Sequence, residues 1–336
     1  MKRLGLYLGR LPGFDKGGFD RRELIECVRA ADASGYDSFW MPEAWERDAF
    51  TVLTELAVHT SRIHLATGIV NVFSRSPALI AMSAATLDEI SGGRFRLGLG
   101  TSGARVIEDF HGVKFSHPLT RLRETIQIIR LLLAGERIDF EGRCFHLSRF
   151  KLGFKPVRAR IPIYVAALTP KSLYQLGEIA DGWLPTHWPR ERLEEGITHI
   201  RAGAVASSRD AAEIEIAPFV NVVVSDDRAK ARDRARLPLA YYVGGMGDYY
   251  HDALARLGFT AEADRVRALW QEGRPKQAIR AVTDEMVDRI AVCGTVEYAR
   301  ARLDEMYSHG ATLPLIPIPA EGTTAEKCRV IESLIA

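Results

Sequence analysis

Eight short β-rich runs, most of them separated by a stretch with helical periodicity, constrain this chain more than any other feature. They are Leu4 to Leu8, Asp37 to Met41, Ile63 to Thr67, Phe95 to Leu99, Ile163 to Ala166, Gly182 to Leu184, Ile216 to Val224 and Thr312 to Ile318. Alternation of this kind argues for a parallel sheet with crossover helices. The chain has 336 residues, and composition does not change midway. We therefore expect a single (β/α)8 barrel, of the TIM type, with insertions, and not two doubly wound domains. The insertions are read as a hairpin over about 136–155, with its turn at Glu141-Gly142, and a helical segment over about 241–292. The latter breaks the rhythm and carries apolar points at Leu254, Leu257, Val266, Leu269 and Trp270.

The stretch from Ile63 to Gly103 shows the local logic. Gly68 ends one strand, and Ser76 and Pro77 open a helix as N-cap and first helical residue. Gly92 and Gly93 close it in the left-handed region. Phe95 to Leu99 then runs into Gly100-Thr101-Ser102-Gly103, so both strands end in small residues that let a ligand approach the backbone.

Bulk properties narrow the partners. Net charge is +2, with 45 basic and 43 acidic residues and no long basic run, which argues against nucleic acid. Cys27, Cys144, Cys293 and Cys328 are far apart, with no CxxC pair, so we expect neither a disulfide framework nor a metal site and place the chain in the cytoplasm. The apolar run at the N-terminus is too short for a signal peptide, and no window is long enough for a membrane span.

In a barrel, chemistry belongs at the C-terminal strand ends. That rule selects Glu43 and Trp45, Gly68 to Asn71, Thr101 to Gly103, Ala167 to Thr169, and His187-Trp188. Thr169 starts a helix whose free amides suit a phosphate, although it reads equally as a plain cap. Glu43 and His187 are the candidate catalytic residues; an isolated strand-end Glu or His can also be purely structural. Gly98 to Gly103 matches GxGxxG, but three βα units precede it and Gly98 falls within the strand, so it is not read as a dinucleotide turn. Trp40, Trp45, Phe73, Trp183 and Trp188 suggest an aromatic mouth for a large flat ligand.

Four segments together resemble the luciferase-like monooxygenase superfamily: AADASGYDSFWMPE, TGIVNVFSRSPALIAMSAATLDEISGGRFRLGLGTSG, RLRETIQIIRLLLAGE and IPIYVAALTPKSLYQLGEIADGWLP. Within it they are most similar to the branch that uses coenzyme F420, an 8-hydroxy-5-deazaflavin. The resemblance implies a hydride-transferring oxidoreductase with an organic substrate. An FMN-dependent monooxygenase and a non-catalytic flavin-binding barrel are the alternatives. It further implies a non-prolyl cis peptide at Gly68-Ile69, with Ile69 and Val70 against the back of the ring and Gly68 and Asn71 also binding the cofactor. Thr101, Ser102 and Gly103 would line the cofactor, Ala167, Leu168 and Thr169 would hold its phosphate, and Glu43 would be the strand-two acid. A homodimer is implied, with the helix faces around 49–60 and 77–91 as its interface. Ala44 stands where sugar-phosphate dehydrogenases of this branch carry histidine, and Gly103 where they carry glutamate, which argues against that substrate.

Overall fold

The computed structural model describes residues 2–9, 11 and 20–335. Elements are numbered along the chain. The barrel strands are β1 (Gly5–Tyr7), β2 (Ser38–Met41), β3 (His64–Thr67) and β5 (Phe95–Gly100), followed by β8 (Ile163–Val165), β9 (Gly182–Trp183), β10 (Glu215–Ile216) and β13 (Leu315–Pro317). They lie side by side in the order β10-β9-β8-β5-β3-β2-β1-β13 and are all parallel. The circuit closes where Leu313 N–H donates to Ile216 C=O at 3.1 Å and Val220 N–H to Leu315 C=O at 2.8 Å. A short additional strand, β4 (Val70–Asn71), joins β5 beyond the end of β3.

The helices around the barrel follow from local chemistry. Asp20 caps α1 (Arg21–Ser34), and Gly35 ends it at φ 89°. Asp48 caps α2 (Ala49–His59), and Ser76 with Pro77 starts α3 (Pro77–Ile90). Each turns Leu, Ile and Ala side chains onto the sheet, the pattern of an amphipathic helix covering a core. Glu124, buried in α4 (Pro118–Leu133), accepts the amides of Arg143, Cys144 and Phe145. It thereby anchors the turn between antiparallel β6 (Ile138–Glu141) and β7 (His146–Phe150).

One expected strand is two. Ile216 to Val224 divides at Pro218, which has no N–H to donate. Its first part stays in the barrel. Its second part, β11 (Asn221–Val224), pairs with β12 (Ala291–Gly294) in a separate parallel ribbon. Between these two strands lie α7 (Arg228–Gly245), α8 (Asp248–Leu254), α9 (Thr260–Gln271), α10 (Pro275–Ala281) and α11 (Asp284–Ile290). The helical segment thus starts before residue 241, and its last residues are strand.

The two barrel ends differ. At the N-terminal end, Asp37 bonds Arg3 at 2.8 Å and Arg96 at 2.5 Å, and Arg3 also pairs with Glu215. Burial alone would raise the Asp37 pKa, but the Arg96 and Arg3 guanidiniums hold it at about 2. That end is sealed by an ion network. The interior above it is filled by Trp40, Ala66, Tyr164, Leu184, Leu313 and Leu315.

Candidate active site

The C-terminal end is built around a break in the sheet. β3 pairs with β5 only through Leu65 and Ala66. At Thr67 the side chain takes over, because its Oγ1 accepts Gly98 N–H and donates to Gly98 C=O, both at 2.8 Å. The main chain is then free to leave the sheet. It does so through a Gly68–Ile69 peptide bond that is cis, as the resemblance implied. Both sides of this bulge are tied to strand two: Gly68 N–H donates to Met41 C=O at 2.8 Å and Glu43 N–H to Ile69 C=O at 3.2 Å.

The glycines of the GLG run serve this bulge. A Cβ on Gly98 would lie 1.9 Å from Thr67 O, and one on Gly100 would lie 3.0 Å from Ile69 Cδ1. The Ile69 side chain therefore sits over Gly100, forming an apolar ledge at the mouth. Gly68 and Ile69 remain half-buried, whereas Val70 and Asn71 are buried. Asn71 Oδ1 accepts Phe73 N–H and Ser74 N–H, and so folds its own loop.

Beside the ledge, Thr101, Ser102 and Gly103 are half-exposed, with Ser102 in the left-handed region at φ 57°. Gly103 C=O accepts Val106 N–H and Ile107 N–H, which starts the next helical turn. A Cβ at Gly103 would lie 3.6 Å from Met246 O, just past the end of α7, so the inserted helices reach this loop.

The third element is the N-terminus of α5 (Pro170–Ile179). Thr169 is its cap: Thr169 Oγ1 accepts Ser172 N–H at 3.2 Å, and Ser172 Oγ accepts Thr169 N–H at 3.0 Å. Ala167 C=O accepts Trp183 Nε1–H, and Leu168 C=O accepts Arg256 Nη2–H at 2.6 Å. A small open cleft adjoins this turn, lined by Leu168, Pro170, Trp188, Glu195, His199 and Arg256. A positive dipole end beside a guanidinium suits an anion. Arg256 lies on the inserted segment, and nothing local to Thr169 in the sequence announces it.

Glu43 is fully engaged. Its Oε2 accepts Arg75 Nη2–H and Ala49 N–H, both at 2.9 Å, and its Oε1 pairs with Arg75 Nη1. Arg75 also binds Asp48, the cap of α2. Glu43 thus ties the loop after β2 to the starts of α2 and α3.

His187 has the opposite character. It follows β9 at φ 52°, and its Nε2 is buried with no hydrogen-bond partner. Burial pushes its pKa down to about 4, so the ring is neutral at pH 7. Its ring centre is 4.6 Å from that of Tyr242 and 6.1 Å from that of Tyr250. On the barrel side, Tyr7 and Phe219 meet edge to face at 5.0 Å, and a Cβ on Gly68 would come within 3.0 Å of Phe219 Cζ. The mouth is therefore more phenolic than indolic. Trp40, Phe73, Trp183 and Trp188 are core residues, and the three indoles donate to Ser38 Oγ, Ala167 O and Arg192 O. The signal that points to the roof is the paired tyrosines of YYVGGMGDYY, residues 241–250.

Among the described residues no group of three or more His, Cys, Asp or Glu is placed to hold a metal ion.

The chain as a whole has recognisable relatives. The chain is 35% identical to a protein of Mycobacterium tuberculosis provisionally named a coenzyme F420-dependent oxidoreductase, over 99% of each chain. It is 34% identical to the 5,10-methylenetetrahydromethanopterin reductase of Methanolobus tindarius, over 86% of this chain and 88% of that one. Its fold is that of the coenzyme F420 dependent tetrahydromethanopterin reductase of Methanopyrus kandleri, with a TM-score of 0.82 at 24% identity over 98% and 97% of the two chains. Residues 1–313 match the luciferase-like monooxygenase family, and the chain belongs to that family.

Proposed function

We propose that this protein is an oxidoreductase that uses coenzyme F420 to move a hydride to or from a small organic molecule. The observation that carries the reading is the pairing of an apolar ledge with an anion-binding turn on one barrel face. Ile69 stands over Gly100 at one side, and the α5 N-terminus with Arg256 stands at the other. A flat ring joined to a phosphate needs both. The names of the relatives that align over most of the chain point the same way.

When bound, the deazaflavin supplies the hydride chemistry itself. The chain supplies position. Gly68, Ile69, Val70 and Asn71 would back the ring, and the Thr101 to Gly103 backbone would line it. Ala167, Leu168 and Thr169 would hold the phosphate, to which Arg256 would add charge. Glu43 braces the loop that carries the bulge. His187 faces the substrate side, where a neutral imidazole can share a proton with a bound oxygen or nitrogen.

The assembly in this reading is a homodimer in the cytoplasm. Its support is an unpartnered apolar surface on α2 and α3, where Val58, Leu79, Met82 and Ile90 are exposed. Patches of this kind mark interaction sites. No helix among the described residues is long and apolar enough to cross a membrane.

Titration with oxidised F420 and, separately, with FMN tests the function. F420 is expected to bind at least about tenfold more tightly. Tighter FMN binding, with turnover that requires oxygen, would overturn it in favour of a flavin monooxygenase.

A further inference from the structure

We propose that Cys27 and Cys328, at opposite ends of the sequence but side by side between the first and last barrel helices, form a dithiol that a small uncharged peroxide converts into a disulfide, clasping the C-terminal helix to the barrel.

Three observations carry this, and none involves the cofactor face. First, two helices are in register. α1 and the C-terminal helix (Thr324–Ile335) follow the neighbouring parallel strands β1 and β13 and pack side by side. Glu23 accepts Lys327 Nζ–H at 2.6 Å and Thr324 Oγ1–H at 3.5 Å. Further along, Tyr36 O–H donates to Ile331 C=O at 2.8 Å. One turn on from Glu23 is Cys27, and one turn on from Thr324 is Cys328, so the thiols fall at the same contact line. They hydrogen-bond one another. Helix axes about 8–10 Å apart place facing Cα atoms about 4–6 Å apart, the span a disulfide takes.

Second, access is one-sided. Cys27 is buried and Cys328 half-buried. An oxidant arriving from solvent meets Cys328 first, with Cys27 beneath it to resolve the product. Third, the surroundings select the oxidant. Burial, and after it the carboxylates of Glu332, Glu26 and Glu23, raise the Cys328 thiol above its ordinary range. Burial pushes the Cys27 thiol up to about 12, with Glu23 adding to it and Lys327 opposing. Both sulfurs therefore rest protonated. The same carboxylates repel an anionic disulfide such as oxidised glutathione and leave a neutral peroxide unhindered.

The chemistry balances in two steps. Cys328 sulfur attacks the peroxide: an S–O bond forms, the O–O bond breaks, and the departing oxygen leaves as water with the thiol proton when the oxidant is hydrogen peroxide. Cys27 sulfur then attacks the sulfenic sulfur: the S–S bond forms, the S–O bond breaks, and the hydroxyl leaves as water with the Cys27 proton. The two sulfurs together give up two electrons, and the peroxide takes both. The link closes nearly the whole chain into one loop, which restricts the unfolded ensemble far more than the folded one. Cys328 lies outside residues 1–313, the part that matches the family, so the clasp is not a property that membership brings with it.

The test treats the reduced full chain with hydrogen peroxide, traps free thiols with N-ethylmaleimide on denaturation, and maps peptides by mass. The thermal midpoint is read before and after. The expected product has lost two hydrogens and carries a Cys27–Cys328 cross-linked peptide within a single chain. It melts about 5 °C or more higher and returns to four free thiols with dithiothreitol. Cys328→Ser, checked for an unchanged far-UV spectrum, is expected to give neither the link nor the rise. Oxidised glutathione is expected to form the link at least about threefold more slowly than peroxide at equal concentration. Sulfinic acid accumulating on Cys328 without the link would overturn the proposal, as would a link between chains. So would an equal rise in the Cys328→Ser variant, an unmoved midpoint in the linked chain, or equally fast linking by oxidised glutathione.

Discussion

Thr67 Oγ1 both accepts the N–H and donates to the C=O of Gly98, at 2.8 Å each way. One hydroxyl replaces the pair of ladder bonds that β3 gives up where it leaves the sheet. The bulge at the mouth depends on this substitution of side chain for main chain.

Thr67→Val keeps the shape but leaves two buried backbone groups of Gly98 unpaired. It should cost about 2–4 kcal/mol in urea unfolding, and Thr67→Ser should recover most of it. A Val variant within experimental error of the parent would show that the hydroxyl does not hold the bulge.

Glu43 is positioned as a brace. Glu43→Gln should destabilise the chain by about 1–3 kcal/mol by weakening the bonds to Arg75. Turnover at saturating cofactor should stay within about threefold of the parent. A hundredfold fall in turnover with stability intact would instead make Glu43 a proton carrier.

The anion turn is open to a charge test. Thr169→Asp sets a carboxylate against the bound phosphate and should weaken F420 by more than about tenfold. Arg256→Ala should weaken it about three- to tenfold and flatten its salt dependence. Unchanged affinity in both variants would move the phosphate elsewhere.

His187 predicts an acid limb in stability. Its pKa falls from an ordinary 6.5 to about 4 on folding. Between those values the unfolded chain binds the extra proton, so this contribution is complete above pH 6.5 and is lost as pH falls toward 4. His187→Gln has no such proton. Its stability relative to the parent should therefore improve steadily from pH 6.5 to about 4, read from urea midpoints. Parallel curves would refute the shift.

How far the sequence could be read depended on whether a signal was local. Ser76-Pro77, Gly92-Gly93 and the eight short apolar runs each announce a strand end or a helix start within a few residues, so the barrel and its mouth were legible. Gly68-Ile69 was legible through resemblance alone. Arg75, 32 residues from Glu43, was not. A carboxylate at a strand end looks the same whether its partner is a substrate or an arginine brought in by the fold. Tryptophans were misleading for a related reason. Which way Trp40 and Trp183 point is set by the pleat and the barrel's inside-outside parity, and a slip of one residue reverses it. The tyrosines of the roof were missed because they lie past the split at Pro218, where the βα rhythm no longer says which way a segment returns.

The ribbon of β11 and β12 is where the chain leaves for the inserted helices and where it comes back. The two strands run parallel, with Asn221 opposite Ala291 and Val224 opposite Gly294, so the excursion leaves at one end of the ribbon and re-enters at the other as a crossover. Whatever lies between Val224 and Ala291 can lengthen, shorten or be exchanged while the eight-stranded circuit, the ledge and the phosphate turn keep their own bonds. Among the contacts that cross from one side to the other are Arg256 to Leu168, the approach of Met246 to Gly103, the rings of Tyr242 and Tyr250 against His187, and the bonds of Arg190 to Asp288, Arg289 to Glu191 and Arg234 to Glu321. Such a chassis can acquire new substrates by trading roofs, with its hold on the cofactor inherited almost unchanged.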